Sequence, residues 1–454
     1  MLARFLLILL TTTFFSPVAA PAQMFKPTLW PQWQLPSWGG MVTFSIDDAN
    51  KNVHENGLPV FRKYRVAGTL APIVGAVENQ EYWIMTWPQI KDFHRAGWEI
   101  ASHTMWHPRL TSLSDAELEY ELGQSKKLLG KNGIDAKTLV FPYAQYDARV
   151  LDYTTRYYEN SRIGGDAVNG IDLNRYTILC KELTSTTTPE EAIAWIEEAV
   201  QKKMWLVLMI HEIVAGTPGD YQYNAGDLEK IVAYVSANRI PAPTINQALA
   251  GRQAVLGPNL IKNSKLEIGA GGWAQNWSRN NETQVTLEPV AVKRAFSDGK
   301  LLKITGSSEK NMANPDLINL PDKDSDYLLS FFAQVATEGA NGGVEICIDE
   351  FDASGNWIGW QWIGGFWWYT CGMPAFLYHP SSGQVDQVVI YIFTDEGADV
   401  TLLADNFYFG AITDGMELQA RFFRPKANLR FGAVTGGRDW RHGWDWKHRC
   451  IHWQ

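Results

Sequence analysis

The chain has 454 residues, 46% of them hydrophobic and 20% charged, which exceeds the size at which one hydrophobic core usually keeps growing, so two domains are expected. Its 40 Lys and Arg against 49 Asp and Glu leave a formal charge of −9, which offers no diffuse attraction for nucleic acid or an anionic membrane and suits a neutral or cationic substrate. The four cysteines, Cys180, Cys347, Cys371 and Cys450, match no zinc-knuckle spacing. Cys347 and Cys371 are a candidate strand-to-strand bridge in an oxidising compartment, and Cys180 and Cys450 are either buried thiols or a long-range pair.

Residues 1–22 read as a secretory signal peptide: Arg4 precedes the apolar run Phe5 to Leu10, and small residues follow at Ala20 and Ala22. Thr11 to Thr13 interrupt the run, which is too short to span a bilayer, and no later run approaches a span. The mature chain is therefore expected to be secreted or periplasmic. Residues 23–40 interleave Pro27, Pro31 and Pro36 with Trp30, Trp33 and Trp38, an extended lead-in whose aromatics pack over a domain rim.

Met41 to Ile46 then reads as a buried strand that ends at Asp47 and Asp48. Ala67 to Val74 is a strand, Trp87 to Ala96 a helix closed by Gly97, and Trp98 to Ala101 a strand that ends at Ser102 and His103. Ser114 to Leu129 is the clearest helix, opened by the capping box Ser114 and Glu117 and carrying Leu118, Leu122 and Leu129 on one side. Thr138 to Phe141 is a strand closed by Pro142, Pro189 to Lys203 a helix, Trp205 to Ile210 a strand ending at His211, and Asp227 to Asn238 a helix. Alternation of this kind predicts an α/β domain over 41–250, with Asp47, Asp48, His103, His107 and His211 at the C-terminal strand ends, where such domains place their chemistry.

Beyond Leu249 the helical periodicity stops. Short runs such as Lys300 to Thr305, Tyr327 to Val335, Gly343 to Ile348 and Gln387 to Phe393 stand between Gly, Asn, Asp and Ser clusters, and predict an all-β sandwich over 258–412. Residues 413–454 form a basic aromatic tail with Arg421, Arg430, Arg441, Trp440, Trp444 and Trp446.

The chemistry is concentrated in the first domain. His103 and His107 are four residues apart, a spacing that puts both imidazoles on one face of a helical turn and within reach of one ion. Adjacent carboxylates at the end of a buried strand repel each other and lose hydration, which a cation or hydrogen bonds must offset. One divalent, zinc-like ion on two His and one Asp leaves positions for water and a substrate oxygen, and acts as a Lewis acid in hydrolysis.

In segment order and motif the first domain resembles the polysaccharide deacetylases, carbohydrate esterase family 4. Thr43-Phe-Ser-Ile-Asp-Asp48 is similar to that family's first motif, one residue longer than the commonest form; His103-Thr-Met-Trp-His107 matches the second; Phe141-Pro142-Tyr143 resembles the third; and Leu208-Met-Ile-His211 resembles the fifth, with one extra residue. The resemblance implies a distorted (β/α) barrel in which Asp48, His103 and His107 hold the metal, Asp47 is the general base and His211 the general acid. It further implies that Thr104 supports the second-motif loop and that Tyr143 lends its backbone N–H to the oxyanion, while Trp106 either meets sugar or covers the loop. Val140 and Phe141 stand where many relatives carry an arginine that orients the base, so Arg162 is the substitute candidate. Asp166 or Asp172 is the candidate to orient His211.

Asn259-Leu-Ile-Lys-Asn263, with Leu266-Glu267 and Trp273, resembles the opening strand of galactose-binding-like carbohydrate modules, which implies a jelly-roll-like sandwich. Trp357, Trp360, Trp362, Trp367 and Trp368 are denser than a core needs, which leaves a glycan platform, an interdomain interface or core packing open. The leading expectation is a deacetylase acting on an acetylated polysaccharide that contains N-acetylglucosamine. The alternatives are an O-acetyl esterase, a catalytically silent glycan-binding protein and a glycosidic-bond hydrolase.

Overall fold

The computed structural model describes residues 38–290, 294, 300–337, 342–366 and 370–413. Seven strands organise the N-terminal half: β1 (Met41–Asp48), β2 (Gly68–Pro72), β3 (Glu99–Ile100), β4 (Thr138–Val140), β5 (Asn160–Arg162), β6 (Lys181–Glu182) and β7 (Trp205–Ile210). They form an all-parallel sheet in the order β3-β2-β1-β7-β6 and a parallel pair β4-β5. Isolated parallel bridges carry the pairing further, Ser102 to Leu139 from β3 to β4 and Arg162 to Ile178 from β5 towards β6. On β1 the two-residue alternation sends Val42, Phe44 and Ile46 into the main apolar cluster, whereas Thr43, Ser45 and Asp47 make a polar column on the opposite face. All three polar residues are buried.

Helices α1 (Leu58–Tyr64), α2 (Val74–Glu78), α3 (Trp87–Arg95), α4 (Asp115–Lys131), α5 (Ala148–Tyr157), α6 (Pro189–Gln201), α7 (Ala225–Ala237) and α8 (Ile245–Ala254) connect and cover the strands. The capping box at Ser114 and Glu117 opens α4 as the sequence predicts, and equivalent boxes open α3 and α8. Half-buried Glu99 accepts hydrogen bonds from Thr69, Thr138 and both the backbone and side-chain nitrogens of Asn246, and so ties α8 to three neighbouring strands. Trp38 is fully buried and donates its indole N–H to Ala248 O at 2.9 Å, so this lead-in tryptophan is a core residue rather than a rim cover.

Helices α5 and α8 and strand β5 are additions to the sequence reading. Each is short, and in α8 apolar and polar residues are spread almost evenly around the helix axis, so no marked apolar stripe signals it in the sequence. A two-stranded parallel ladder, β8 (Glu212–Val214) and β9 (Gln222–Asn224), follows β7 directly.

The second half contains β10 (Trp277–Arg279), β11 (Val285–Pro289), β12 (Lys300–Thr305), β13 (Met312–Pro315), β14 (Ile318–Asn319), β15 (Tyr327–Thr337), β16 (Val344–Phe351), β17 (Trp357–Phe366), β18 (Thr370–Gly372), β19 (Ala375–Tyr378), β20 (Gln387–Thr394) and β21 (Val400–Ala411). They form two antiparallel sheets, β10-β13-β20-β16-β17 with β14 on β20, and β11-β12-β21-β15-β18 with β19 on β15. Inward-facing residues of both sheets, such as Ile346, Ile390, Leu329 and Leu402, share one core.

The second sheet also faces the N-terminal half. Leu301, Phe332 and Cys371 join the main N-terminal cluster, and Leu328 and Ile412 pack with Trp38, Trp205 and Ile245. Trp357 and Trp362 instead lie on β17, the edge strand of the other sheet, about two-fifths exposed. This placement removes them from the interdomain seam. Trp367, Trp368, residues 1–37 and all of the basic tail except Thr413 lie outside the described residues. Cys371 is a buried free thiol on the sheet that does not contain Cys347, so the candidate bridge between them is not formed.

Across the seam Asp152 of α5 pairs with Arg156 of the same helix at 2.6 Å and with Arg294 of the second half. Both side chains of the interdomain pair are largely removed from water, so the loss of one partner strands a buried charge. Arg294→Met is expected to lower unfolding stability by about 2–3 kcal/mol, the lower range for a broken buried pair because Arg156 remains. Urea denaturation followed by tryptophan fluorescence checks this, and an unchanged midpoint would show that the pair contributes nothing net.

Candidate metal centre and its flanking acid and base

The end of β1 turns sharply. Asp48 and Ala49 have φ of 64° and 67°, left-handed values that cost a non-glycine residue roughly 1–2 kcal/mol. Thr104, His107, Tyr143 and Ala144 share this conformation, so the strain collects around one point of the fold. At that point ligand atoms of Asp48, His103 and His107 all lie within 4.8 Å of one another. His103 Nε2 is 3.5 Å and His107 Nε2 3.8 Å from Asp48 Oδ1.

The residues between the histidines are not helical: His103 to His107 form a loop. The sequence expectation of a helical turn is thus corrected, and the left-handed turns at Thr104 and His107 bring the imidazoles together instead, their ring centroids 4.5 Å apart. Several contacts hold this loop. His107 N donates to Thr104 Oγ1 at 3.0 Å, and Met105 N and Trp106 N both donate to Glu121 Oε2 of α4 at 2.9 Å. Val74 N and Gly75 N of α2 donate to Thr104 O and Met105 O. A Cβ on Gly75 would sit 2.6 Å from Met105 O and 2.8 Å from the Trp106 ring, so only glycine permits this approach. Trp106 itself is 45% exposed.

The donor set fits a cation. His103 Nδ1 lies 2.8 Å from Val140 O, which fixes the N–H on that nitrogen and leaves Nε2 with a free lone pair facing Asp48. Burial, the largest influence, drives the His103 imidazole down to about 3 and lowers that of His107, so both stay neutral as ligands must. Burial first, and then the charge of Asp47, push the Asp48 carboxyl up to about 6, a penalty that a cation at the three ligand atoms relieves. Asp48 Oδ1 is also buried without a hydrogen-bond partner among the described residues.

Asp47 projects from the polar column of β1 and pairs with Arg162, whose guanidinium is buried and also reaches Ile163 O, Cys180 Sγ at 3.0 Å and Met209 Sδ at 3.1 Å. Arg162 therefore does lie against Asp47, from β5 rather than from the third motif. Burial raises the Asp47 carboxyl, but Arg162 and then His103 and His211 outweigh it and hold it below the usual carboxylate range. Its second oxygen, Oδ1, is buried with no partner among the described residues.

On the other flank His211 Nδ1 is 3.1 Å from Glu182 Oε1 at the end of β6. Burial lowers the imidazole, yet Glu182, Asp47 and Asp48 together raise it above its ordinary value. The sequence expectation of Asp166 or Asp172 at this position is corrected. Asp166 pairs with Lys181 at 3.1 Å on an exposed edge, and Asp172 meets the charge of Arg252, whereas the β6-to-β7 register sets Glu182 opposite Met209, two residues before His211. Tyr143 is half exposed, its ring packs on His107 at a centroid distance of 4.6 Å, and the Arg109 guanidinium lies over the same ring, 4.5 Å from its centroid.

Residues 37–158, which span β1 to α5, match the family model described as polysaccharide deacetylase. The chain is 28% identical over 115 residues to the poly-beta-1,6-N-acetyl-D-glucosamine N-deacetylase of Staphylococcus aureus strain MRSA252, a match over 22% of this chain and 40% of that protein. The chain thus spans well under half the length of that curated relative. Among solved structures it is similar to a Streptococcus pyogenes deacetylase in complex with acetate, at 20% identity and a TM-score of 0.33 over 34% of this chain and 68% of that one. It is also similar to a peptidoglycan deacetylase from Bacillus subtilis, at 15% identity and a TM-score of 0.32 over 48% and 94%.

Glu121 is the contact that sequence patterning did not reveal, since a glutamate within a helix rich in charge carries no distinguishing signal. Burial raises its carboxyl despite the two amides it accepts. Glu121→Ala is expected to release the second-motif loop and weaken metal retention roughly tenfold or more, the usual effect of losing a support behind the ligands, while Glu121→Gln keeps one acceptor oxygen and most of the affinity. Competition against a chromogenic chelator measures both, and equal retention by all three proteins would remove Glu121 from this role.

Proposed function

We propose that the chain is a metal-dependent hydrolase that removes acetyl groups from an acetylated polysaccharide, with N-acetylglucosamine units as the preferred target. The observation that carries this reading is the placement of an ionised, arginine-held carboxylate and a proton-rich imidazole on two sides of a three-ligand centre. Asp48, His103 and His107 would hold a zinc-like divalent ion, which would supply Lewis acidity for the attack of water on the acyl group. Asp47 takes a proton from that water through Oδ1, the oxygen that Arg162 leaves unoccupied. His211, backed by Glu182, gives a proton to the departing sugar nitrogen as the C–N bond breaks, so acetate and a free amine result. The backbone N–H of Tyr143 receives the acyl oxygen, and Thr104 holds the second-motif loop in place.

The name of the Staphylococcus aureus relative supports an N-acetyl target over an O-acetyl one. In this reading the parallel strands close as a distorted (β/α) barrel, an arrangement favoured by the bridges that continue the sheet from β3 through β5 to β6. The two antiparallel sheets act as a jelly-roll-like carbohydrate module, with Trp357, Trp360 and Trp362 as its glycan platform. Residues 1–22 direct the chain out of the cytoplasm. No helix among the described residues is long and apolar enough to cross a membrane.

Acetate release from N-acetylglucosamine oligomers by the metal-loaded full chain tests the proposal. Chelation is expected to abolish it and zinc to restore it, and Asp47→Asn to reduce the rate by about 10²–10⁴ with the metal retained. New reducing ends without acetate would overturn the reading. A pH profile addresses the acid. Because the His211 pKa is raised, its proton persists to higher pH and the rate should fall only as pH climbs through that raised value. Glu182→Gln removes one of the raising influences, so the alkaline limb should move to lower pH; a limb that stays in place would exclude His211 as the proton donor.

A further inference from the structure

Beside the metal centre, with Asp48 in its wall, the molecule opens into a cleft of about 580 Å³ whose other lining residues take no part in the steps above. Two of its walls continue directly from residues already placed. Asn50, Lys51 and Asn52 follow Asp48 along the chain, and Glu212 follows His211, so the cleft begins where the three ligands end. Trp83, 36% exposed, stands on the connection between α2 and α3, which is anchored by an antiparallel bridge from Asn50 to Ile84 and by Lys51 N donating to Trp83 O at 2.9 Å. Glu55 projects, exposed, from a π-helical turn at Val53–Gly57.

The polar groups of this cleft are mostly acceptors. Asn52 Nδ2 and Gln222 Nε2 both donate to one oxygen of Glu212, Oε2, at 2.6 and 3.2 Å. Asn52 Oδ1 is buried and has no partner among the described residues. Lys51, the cation among the lining residues, already donates its ammonium to Tyr82 O at 2.8 Å. The cleft presents an indole face and the carboxylates of Glu55 and Glu212, which together with Asp48 outnumber the single ammonium of Lys51. An excess of carboxylates favours an ammonium, which carries a charge, three donors and no acceptor, over a neutral acetamido group. The indole suits the flat face of a pyranose ring, and a cation near it gains further attraction.

We propose that this cleft is a subsite for a glucosaminium unit, a sugar whose amine is already free and protonated, adjoining the sugar held at the metal centre. The substrate class is then a partly deacetylated polysaccharide, and each cut prepares the occupant that the cleft holds for the next. The identity of the occupant as a sugar rests on the deacetylase reading above.

Binding separates the two ideas because it does not depend on turnover. The metal-loaded full chain is titrated calorimetrically, in mildly acidic buffer, with a glucosamine tetramer and with an N-acetylglucosamine tetramer, and acetate is assayed in the second mixture. The glucosamine tetramer is expected to bind about tenfold more tightly, equivalent to about 1.4 kcal/mol. Glu212→Gln and Glu55→Gln should each shrink that preference, and their combination should bring the ratio close to one. Trp83→Ala should weaken both ligands alike and leave the ratio intact, because ring stacking does not read the amine. Equal or tighter binding of the acetylated tetramer overturns the subsite, as does a preference that survives the double carboxylate substitution or affinities that ignore Trp83→Ala. Absence of acetate with the glucosamine preference intact strikes at the deacetylase reading instead and leaves the cationic subsite standing.

Discussion

Two neighbouring carboxylates at the end of a buried strand are the constraint around which the N-terminal half is arranged. Asp47 and Asp48 cannot both be ionised there without compensation, and the fold compensates them differently. Alternation along β1 sends Asp47 into the polar column, where Arg162 neutralises it, while the left-handed turn at Asp48 swings the second carboxylate out to meet His103 and His107. Had both pointed the same way, one would have taken a proton and the division between a permanently charged group and a ligand would be lost.

That division requires support from several distant elements. Arg162 depends on β5 and on the sulfur atoms of Cys180 and Met209, His103 depends on a carbonyl of β4, and the loop between the histidines hangs on a glutamate of α4 and on two amides of α2. Strained backbone at Asp48, Thr104, His107 and Tyr143 is tolerated because these neighbours over-determine it. The second half contributes at one remove. Its inner sheet packs against α5 and the segment around Asn174, which accepts a hydrogen bond from Met373 N at 3.1 Å, and that segment in turn pairs with β5 through Ser161 and Ile178. The docking of the two halves and the position of Arg162 are thereby linked through packed elements.

The cleft beside the centre gives this arrangement a direction. Around the His103, His107 and Asp48 cluster the carboxylates of Glu55 and Glu212 make the adjoining cleft anionic. The overall charge of −9 agrees in sign, but the anionic character of the cleft is a local property of these carboxylates.

Sequence alone determined the elements with strong local signals. The apolar run of β7, the capping box of α4 and the paired aspartates at the end of β1 are visible because period, cap chemistry and uncommon residue pairs are local properties. His103 and His107 were likewise legible as a pair, although the loop that joins them was not, since spacing of four is compatible with a helix and a left-handed turn is invisible in residue types that do not favour it. Only the tertiary structure decided which charges meet. That Glu182 rather than Asp166 backs His211, that Glu121 holds the second-motif loop, and that Trp357 and Trp362 stand on the sheet away from the interdomain seam all follow from strand register and packing between segments far apart in the chain, and such contacts are set by the energy of the assembled core rather than by any neighbourhood in the sequence.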